Sequence, residues 1–483
     1  MMRRLPLVVG PLVFAAALAL PAPASLSESA WHVAGLAAWM ATWWLSAVVP
    51  LEATALLPIV VLPLAGVAPI GEVTASYADP IIFLFLGGFF LAATLERWNL
   101  HKRFALATVR AVGTDAPRVV LAFMLASAVA SMWISNTATT VMMLPIAMAV
   151  LGGRSEGPPG RRTAEPSARG GFPTALMLGV AYAASIGGVA TLIGTPPNAI
   201  FAGAARELLS VDIGFASWMA VAFPISALML AGCWLFLVWL FGVRGSVPGL
   251  ASIVERESKT LGALSRAERF VLTVFGLTAL AWIFRAPKTL GDVRIPGLSD
   301  VLPGISDAAI AVAAALILFV VPLRRSRFPV GLDWESARKV PWGILLLFGG
   351  GLALAGAFAS SGLTEWLGGR LTGLKGTPLP VVLAATAGLF VLLTELTSNT
   401  ATAALGMPLM AGVAQGLGVA ALPLMATAAM AASMAFMLPV ATPPNAIVFG
   451  SGAVTPSSMA RAGVGLNVVA VVIVTIAVWI WTA

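Results

Sequence analysis

Two copies of one pentapeptide carry the residues best suited to binding chemistry. Ser135, Asn136, Thr137, Ala138 and Thr139 spell SNTAT, and Ser398, Asn399, Thr400, Ala401 and Thr402 spell it again. Both copies sit inside long apolar stretches, where an unpaired hydroxyl or amide is costly. Ser, Asn and Thr pack donors and acceptors into a small space. Where a helix restarts, free backbone N–H groups and partial positive charge favour an anion. A second motif, TPPNAI, occupies 195–200 and returns at 442–447. Pro196 and Pro197, like Pro443 and Pro444, lack N–H groups and force a helix break, which leaves carbonyls free for a hard cation such as sodium. Each half of the chain therefore offers donors for an anion beside acceptors for a cation. A single Ser-Asn-Thr in a membrane helix is ordinarily packing glue. A duplicated triplet beside a duplicated proline break favours binding.

The surroundings of these motifs are nearly free of charge. Residues 119–153 and 170–205 contain no Lys, Arg, Asp or Glu, and 376–460 contain only Glu395. An anion bound here meets no cationic side chain, and helix ends supply only partial charge. Co-bound cations would complete the neutralisation, which is the physical motive for coupling. Glu395 could be a cation ligand, a proton carrier or a structural acceptor. The structural role is favoured, because Met132 stands at the equivalent place in the first copy.

The elements that position such motifs must be helices in a bilayer. Of 483 residues, 59% are hydrophobic and 10% charged, more apolar surface than a soluble fold can hide. Apolar segments fall at 5–22, 31–48, 51–67, 78–96, 119–150, 172–203, 217–243, 269–284, 306–323, 341–360, 379–412, 423–450 and 463–482. The 48 glycines and 33 prolines suit broken helices. Residues 1–30 mimic a secretory signal, with Arg3 and Arg4 before an apolar run, and are expected to remain as an uncleaved first helix. The net charge of +8 lies in short loops rather than in one stripe, so it reads as topology and not as nucleic-acid binding. Basic clusters at 3–4, 97–118, 154–169, 244–269 and 324–339 place the N-terminus in the cytoplasm and, by alternation, the C-terminus outside.

Arg118 and Arg154 both belong inside, yet they flank 119–150, whose apolar halves are each shorter than the roughly 20 residues of a full span. A re-entrant hairpin with SNTAT at its tip satisfies both facts; two short full spans are the alternative. LFLGG at 84–88 answers LFGGG at 347–351 at an offset of 263, the offset of the SNTAT pair. The TPPNAI pair is offset by 247, and the difference matches a polar loop present only in the first half. Two repeats follow. Their copies enter from opposite sides, so the repeats are inverted. Inverted repeats with interrupted helices point to a secondary transporter with a midplane site.

Cys233 is the only cysteine, which excludes an intrachain disulfide and a cysteine metal site. The two histidines, His32 and His101, are far from either motif in sequence. A Ser135 or Ser398 nucleophile therefore has no nearby base, and an intramembrane enzyme is disfavoured. Closed hairpins also argue against a passive channel.

The two SNT triplets, IGTPPNAI, VATPPNAI and VVPLEATALLPIVVLPLAGV at 48–67 together resemble the divalent anion/sodium symporter family, from about residue 31 to the end. The resemblance implies an all-α polytopic protein of two inverted repeats, with re-entrant hairpins at 119–150 and 379–412 and broken helices at 172–203 and 423–450. It also implies a homodimer with an elevator motion in the inner (plasma) membrane. Residues 1–105 and 245–365 would be scaffold; 106–244 and 366–483 would be transport domain. Asn136, Thr137, Asn399 and Thr400 would contact substrate, with Ser135 and Ser398 shared with cations. Thr195, Pro196, Thr442 and Pro443 would line the same pocket. One sodium site maps to Ser131, Ser135, Asn136 and Gly194, and another to Thr394, Thr397, Asn399 and Ala441. The expected function is sodium-driven import of a C4-dicarboxylate such as succinate, malate or fumarate. A sodium-independent exchanger, or a citrate, sulfate or arsenite-type carrier, is the alternative.

Overall fold

The computed structural model describes residues 5–23, 25–113, 115–152, 171–247, 250–290, 293–323 and 328–482. The polar loop unique to the first half and the basic residues at 3–4, 154–169 and 324–327 lie outside them. Helix accounts for 77% of the described residues. Within a bilayer that is one of the few ways to satisfy every backbone group internally. The one sheet among the described residues is an antiparallel pair, Lys288–Leu290 with Val293–Ile295.

Among the described residues, six helices are long and apolar enough to cross a membrane: Ile70–Arg97, Gly171–Val189, Phe215–Leu240, Trp342–Ser361, Leu379–Leu396 and Pro456–Thr482. Gly171–Val189 is buried along nearly its whole length, whereas Phe215–Leu240 and Pro456–Thr482 keep apolar outer faces. The LFLGG and LFGGG motifs mark close crossings. Gly87 packs on the Ala311 backbone, Gly349 on the Tyr77 ring and Gly350 on the Ala55 carbonyl, and a Cβ at any of these would collide.

The predicted segment 119–150 is two short helices, Ala116–Ser131 and Asn136–Gly152, separated by a break at 132–135. Segment 379–412 is Leu379–Leu396 and Asn399–Leu417, broken only at 397–398. Its first arm is long enough for a full span, unlike either arm of the first pair. The second arms share a feature: Pro145 and Pro408 sit at the same distance from the motif asparagine. Segment 172–203 is Gly171–Val189 and Pro196–Leu209, and 423–450 is Ala421–Ala431 and Pro443–Gly450 with 432–442 unwound.

Sequence reasoning passed over two helices of more than ten residues. Leu100–Val112 and Leu250–Leu261 fall within the basic stretches read as loops. Both are amphipathic and pack on each other through Val109, Leu250 and Val254, with Lys102 paired to Glu257 at 2.9 Å. Their high charge hid their helical period from a hydropathy reading.

Candidate functional site

Four helices begin at the repeated motifs: Asn136–Gly152, Pro196–Leu209, Asn399–Leu417 and Pro443–Gly450. All four N-termini open on one cavity of about 470 Å³. Ser135, Asn136, Thr137, Gly194, Thr195 and Pro196 line it from the first half. Thr397, Ser398, Asn399, Thr400, Ala441, Thr442 and Pro443 line it from the second. The remaining two expected residues, Ser131 and Thr394, are fully buried behind the asparagines. The opposite wall is apolar, formed by Trp44, Leu51, Phe85, Phe89 and Ile344. No Lys or Arg lines the cavity.

The helix starts divide the work. Asn136 and Asn399 open helices whose first-turn N–H groups can point at a ligand. The proline pairs remove the first N–H groups of the other two helices while keeping their dipoles. The Ser135 hydroxyl accepts Ala138 N–H at 3.2 Å and so caps its helix; Ser398 makes no such bond. The same difference recurs with opposite hand at the breaks, where Thr442 caps by accepting Asn445 N–H at 3.3 Å and Thr195 does not.

Oxygen atoms converge behind both tips. The Ser131 hydroxyl donates to Asn136 Oδ1 at 2.7 Å, and the Thr394 hydroxyl to Asn399 Oδ1 at 2.6 Å. Each asparagine oxygen thereby faces the side chain five residues before it. Thr394 Oγ1 is also 2.6 Å from the Ala432 carbonyl, and one hydroxyl proton cannot serve two acceptors. The surplus lone pairs are what a hard cation would take. In the first half, Asn136 Oδ1 and the Gly194 carbonyl both crowd the Gly188 Cα, and a Cβ there would meet them at 2.5 and 3.1 Å. The donor set therefore fits a cation held by Ser131, Asn136 and Gly194, provided residue 188 is glycine. Sequence reasoning missed Gly188; its position at the end of the helix just before the TPPN break was the available signal.

It also missed what the asparagines of TPPN do. Asn198 Nδ2 donates to the carbonyls of Gly188 at 3.1 Å, Val189 at 3.1 Å and Thr191 at 2.7 Å. Asn445 Nδ2 donates to Ala435 at 3.2 Å and Leu438 at 3.1 Å. Each amide thus holds the unwound chain before its own helix at matching positions in the two halves. Glu395 is buried and does not line the cavity. It accepts the backbone N–H groups of Phe436, Met437 and Leu438.

The cavity opens on the side of the second break. Leu396 and Val440, both on its wall, are 76% and 85% exposed. On the other side Trp133 is packed between the Phe275 ring at 4.8 Å and the Phe215 and Trp282 rings at 5.9 and 6.4 Å.

The family described as "Sodium:sulfate symporter transmembrane region" matches residues 2–483 of this chain. A protein of Staphylococcus saprophyticus named sodium-dependent dicarboxylate transporter SdcS is 40% identical over 478 residues, covering 98% of this chain and 90% of that protein. The protein of the same name from Staphylococcus aureus strain USA300 is 39% identical over 477 residues, with the same coverage. The chain belongs to the sodium:sulfate symporter family. That family and these relatives are transporters, so the alternative of an intramembrane enzyme is set aside.

Proposed function

We propose that this chain, as a member of the sodium:sulfate symporter family, is a sodium-coupled importer of a divalent anion, with a C4-dicarboxylate as substrate. One observation carries the reading: both Ser-Asn-Thr tips and both Thr-Pro breaks line a single cavity that holds no basic side chain. Its volume falls within the roughly 300–1,000 Å³ of small-molecule sites. The names of the two staphylococcal relatives support both the ion and the substrate class.

Substrate carboxylates would take the hairpin-tip N–H groups and the side chains of Ser135, Asn136, Thr137, Ser398, Asn399 and Thr400. Thr195, Pro196, Thr442 and Pro443 would close the pocket. Sodium would bind at Ser131, Ser135, Asn136 and Gly194, and again at Thr394, Thr397, Asn399 and Ala441. A C4-dicarboxylate carries about two negative charges near neutral pH, given carboxyl reference values near 4. Two sodium ions balance it. A tenfold sodium gradient supplies about 1.4 kcal/mol per ion, so two ions support roughly 100-fold accumulation. A third ion would make transport electrogenic, adding about 2.3 kcal/mol per 100 mV.

The same reading assigns residues 1–105 and 245–365 to a scaffold, and 106–244 and 366–483 to a moving transport domain, with the two halves as inverted repeats. The polar wall of the cavity comes from the second group and much of its apolar wall from the first. A ligand-bearing body facing an apolar wall can slide along it without stripping polar contacts, which suits an elevator. A homodimer in the inner membrane, with a cytoplasmic N-terminus and an external C-terminus, completes the proposal.

Uptake of labelled succinate into proteoliposomes tests it. Uptake should rise with an inward sodium gradient. Equal uptake in sodium and choline, accelerated by internal dicarboxylate, would reject symport and leave exchange.

A further inference from the structure

We propose that Glu395, supported by Asn467, is a positioning residue. Its carboxylate clasps the unwound segment 432–442 and thereby sets the geometry of the second cation set. The inference rests on the sodium reading of Thr394, Thr397, Asn399 and Ala441 given above.

Glu395 lies one residue before the end of the helix Leu379–Leu396 and is 4% exposed. Its Oε1 accepts Phe436 N–H at 2.6 Å, Met437 N–H at 2.8 Å and Asn467 Nδ2 at 2.9 Å; Oε2 accepts Leu438 N–H at 3.1 Å. All four partners are donors. Three successive backbone N–H groups aimed at one carboxylate form a concave anion nest, and bonds to an ionised acceptor are about twice as strong as neutral ones. The grip reaches the cation set through one residue. The Leu438 carbonyl accepts Ala441 N–H at 3.2 Å and Asn445 Nδ2 at 3.1 Å. Moving Leu438 therefore moves Ala441 and the start of the helix that follows. Thr394, adjacent to Glu395, has its hydroxyl oxygen 2.6 Å from the Ala432 carbonyl at the other end of the segment. Tyr182, from the first half, donates to the Phe436 carbonyl at 2.7 Å and fixes the far face of the same turn.

No equivalent charge serves the first half. Met132 stands there, and its backbone carbonyl receives the Thr191 hydroxyl. The clasp thus places a carboxylate one residue from Thr394 and two from Thr397, beside one cation set and not the other.

The test uses the full-length protein in proteoliposomes, with sodium half-saturation, substrate KM at saturating sodium and thermal stability measured together. Glu395→Gln keeps an acceptor for three donors but sets an amide against Leu438 N–H. It should raise the sodium half-saturation about tenfold while substrate KM at saturating sodium stays within about threefold, a split that simple loss of stability would not give. Asn467→Ala should move sodium half-saturation the same way by a smaller factor, and it decides the matter if Glu395→Gln cannot be isolated folded. A lowered melting temperature with unchanged sodium half-saturation in the variants recovered would overturn the proposal and leave Glu395 a plain brace. Thr394→Val is the control for the underlying reading. If it too leaves sodium half-saturation unchanged, the cation set itself is wrong; if it shifts sodium while Glu395→Gln and Asn467→Ala do not, only the clasp is wrong.

Discussion

In the first half, the tripeptide before the repeated triplet is Met132-Trp133-Ile134; in the second it is Glu395-Leu396-Thr397. Trp133 packs into a cluster of three aromatic rings, and Ile134 is buried. Leu396 is exposed, and the Thr397 hydroxyl sits 2.5 Å from that of Thr402. Where the first break is fastened by Thr191 donating to the Met132 carbonyl at 2.5 Å, the second is fastened by a carboxylate. The triplets are identical and their asparagines accept equivalent hydroxyl bonds. The lesson is a separation of roles. On the proposed function the triplet would supply recognition, while its flank differs between the halves in how it is packed and how the facing segment is held.

The largest expected effect falls on what the halves share. Asn136→Ala and Asn399→Ala should each cut uptake by about 100-fold, corresponding to ~2.8 kcal/mol, while leaving a folded protein. A variant of either site transporting near the parent rate would show that the halves are not functionally equivalent. Next comes a difference between the breaks. Gly188 abuts Asn136 Oδ1, whereas Ala435 occupies the matching position of the second half. Gly188→Ala should raise sodium half-saturation about tenfold or abolish uptake, and Ala435→Gly should change it less than about twofold. Equal effects from the two would erase the distinction.

A smaller effect concerns the flanks. Trp133→Leu removes stacking worth about 0.5–1.5 kcal/mol beyond burial and should lower the melting temperature by several degrees. Leu396→Ala removes an exposed side chain and should leave it unchanged. The smallest effect lies outside both halves of the site. Arg97 Nη1 lies 2.5 Å from Asp333 Oδ1 and holds that carboxyl well below its usual range. Its contribution to stability is therefore present above the ordinary carboxyl value and lost as pH falls through the lowered one. Asp333 is 37% exposed, so screening limits the gain to roughly 1 kcal/mol or less. Asp333→Asn should leave uptake unaltered, and its small deficit in melting temperature near neutrality should vanish on acidification.

Sequence alone determined a great deal of this protein, because the information was local or repeated. Apolar length placed it in a bilayer, two proline pairs announced the breaks, and two pentapeptides marked where helices restart. Those features depend on backbone chemistry at the residues themselves, so composition and spacing suffice to read them. The repeated-motif residues that line the cavity were also legible, since repetition exposed them without any contact being known, whereas Gly194, Thr397 and Ala441 came only from the family resemblance. What only the tertiary structure decided was which atoms meet across the chain. Gly188 is an ordinary helix-end glycine until Asn136 Oδ1 is found against it. Glu395 offered three roles in sequence, and only the approach of residues 436–438 and Asn467 shows it filled with donors. The amphipathic helices Leu100–Val112 and Leu250–Leu261 read as charged loops until each supplies the apolar surface that the other covers. Hydrogen bonds and close packing act over a few ångströms, and these partners are separated by tens of residues or more, a separation that no local pattern encodes.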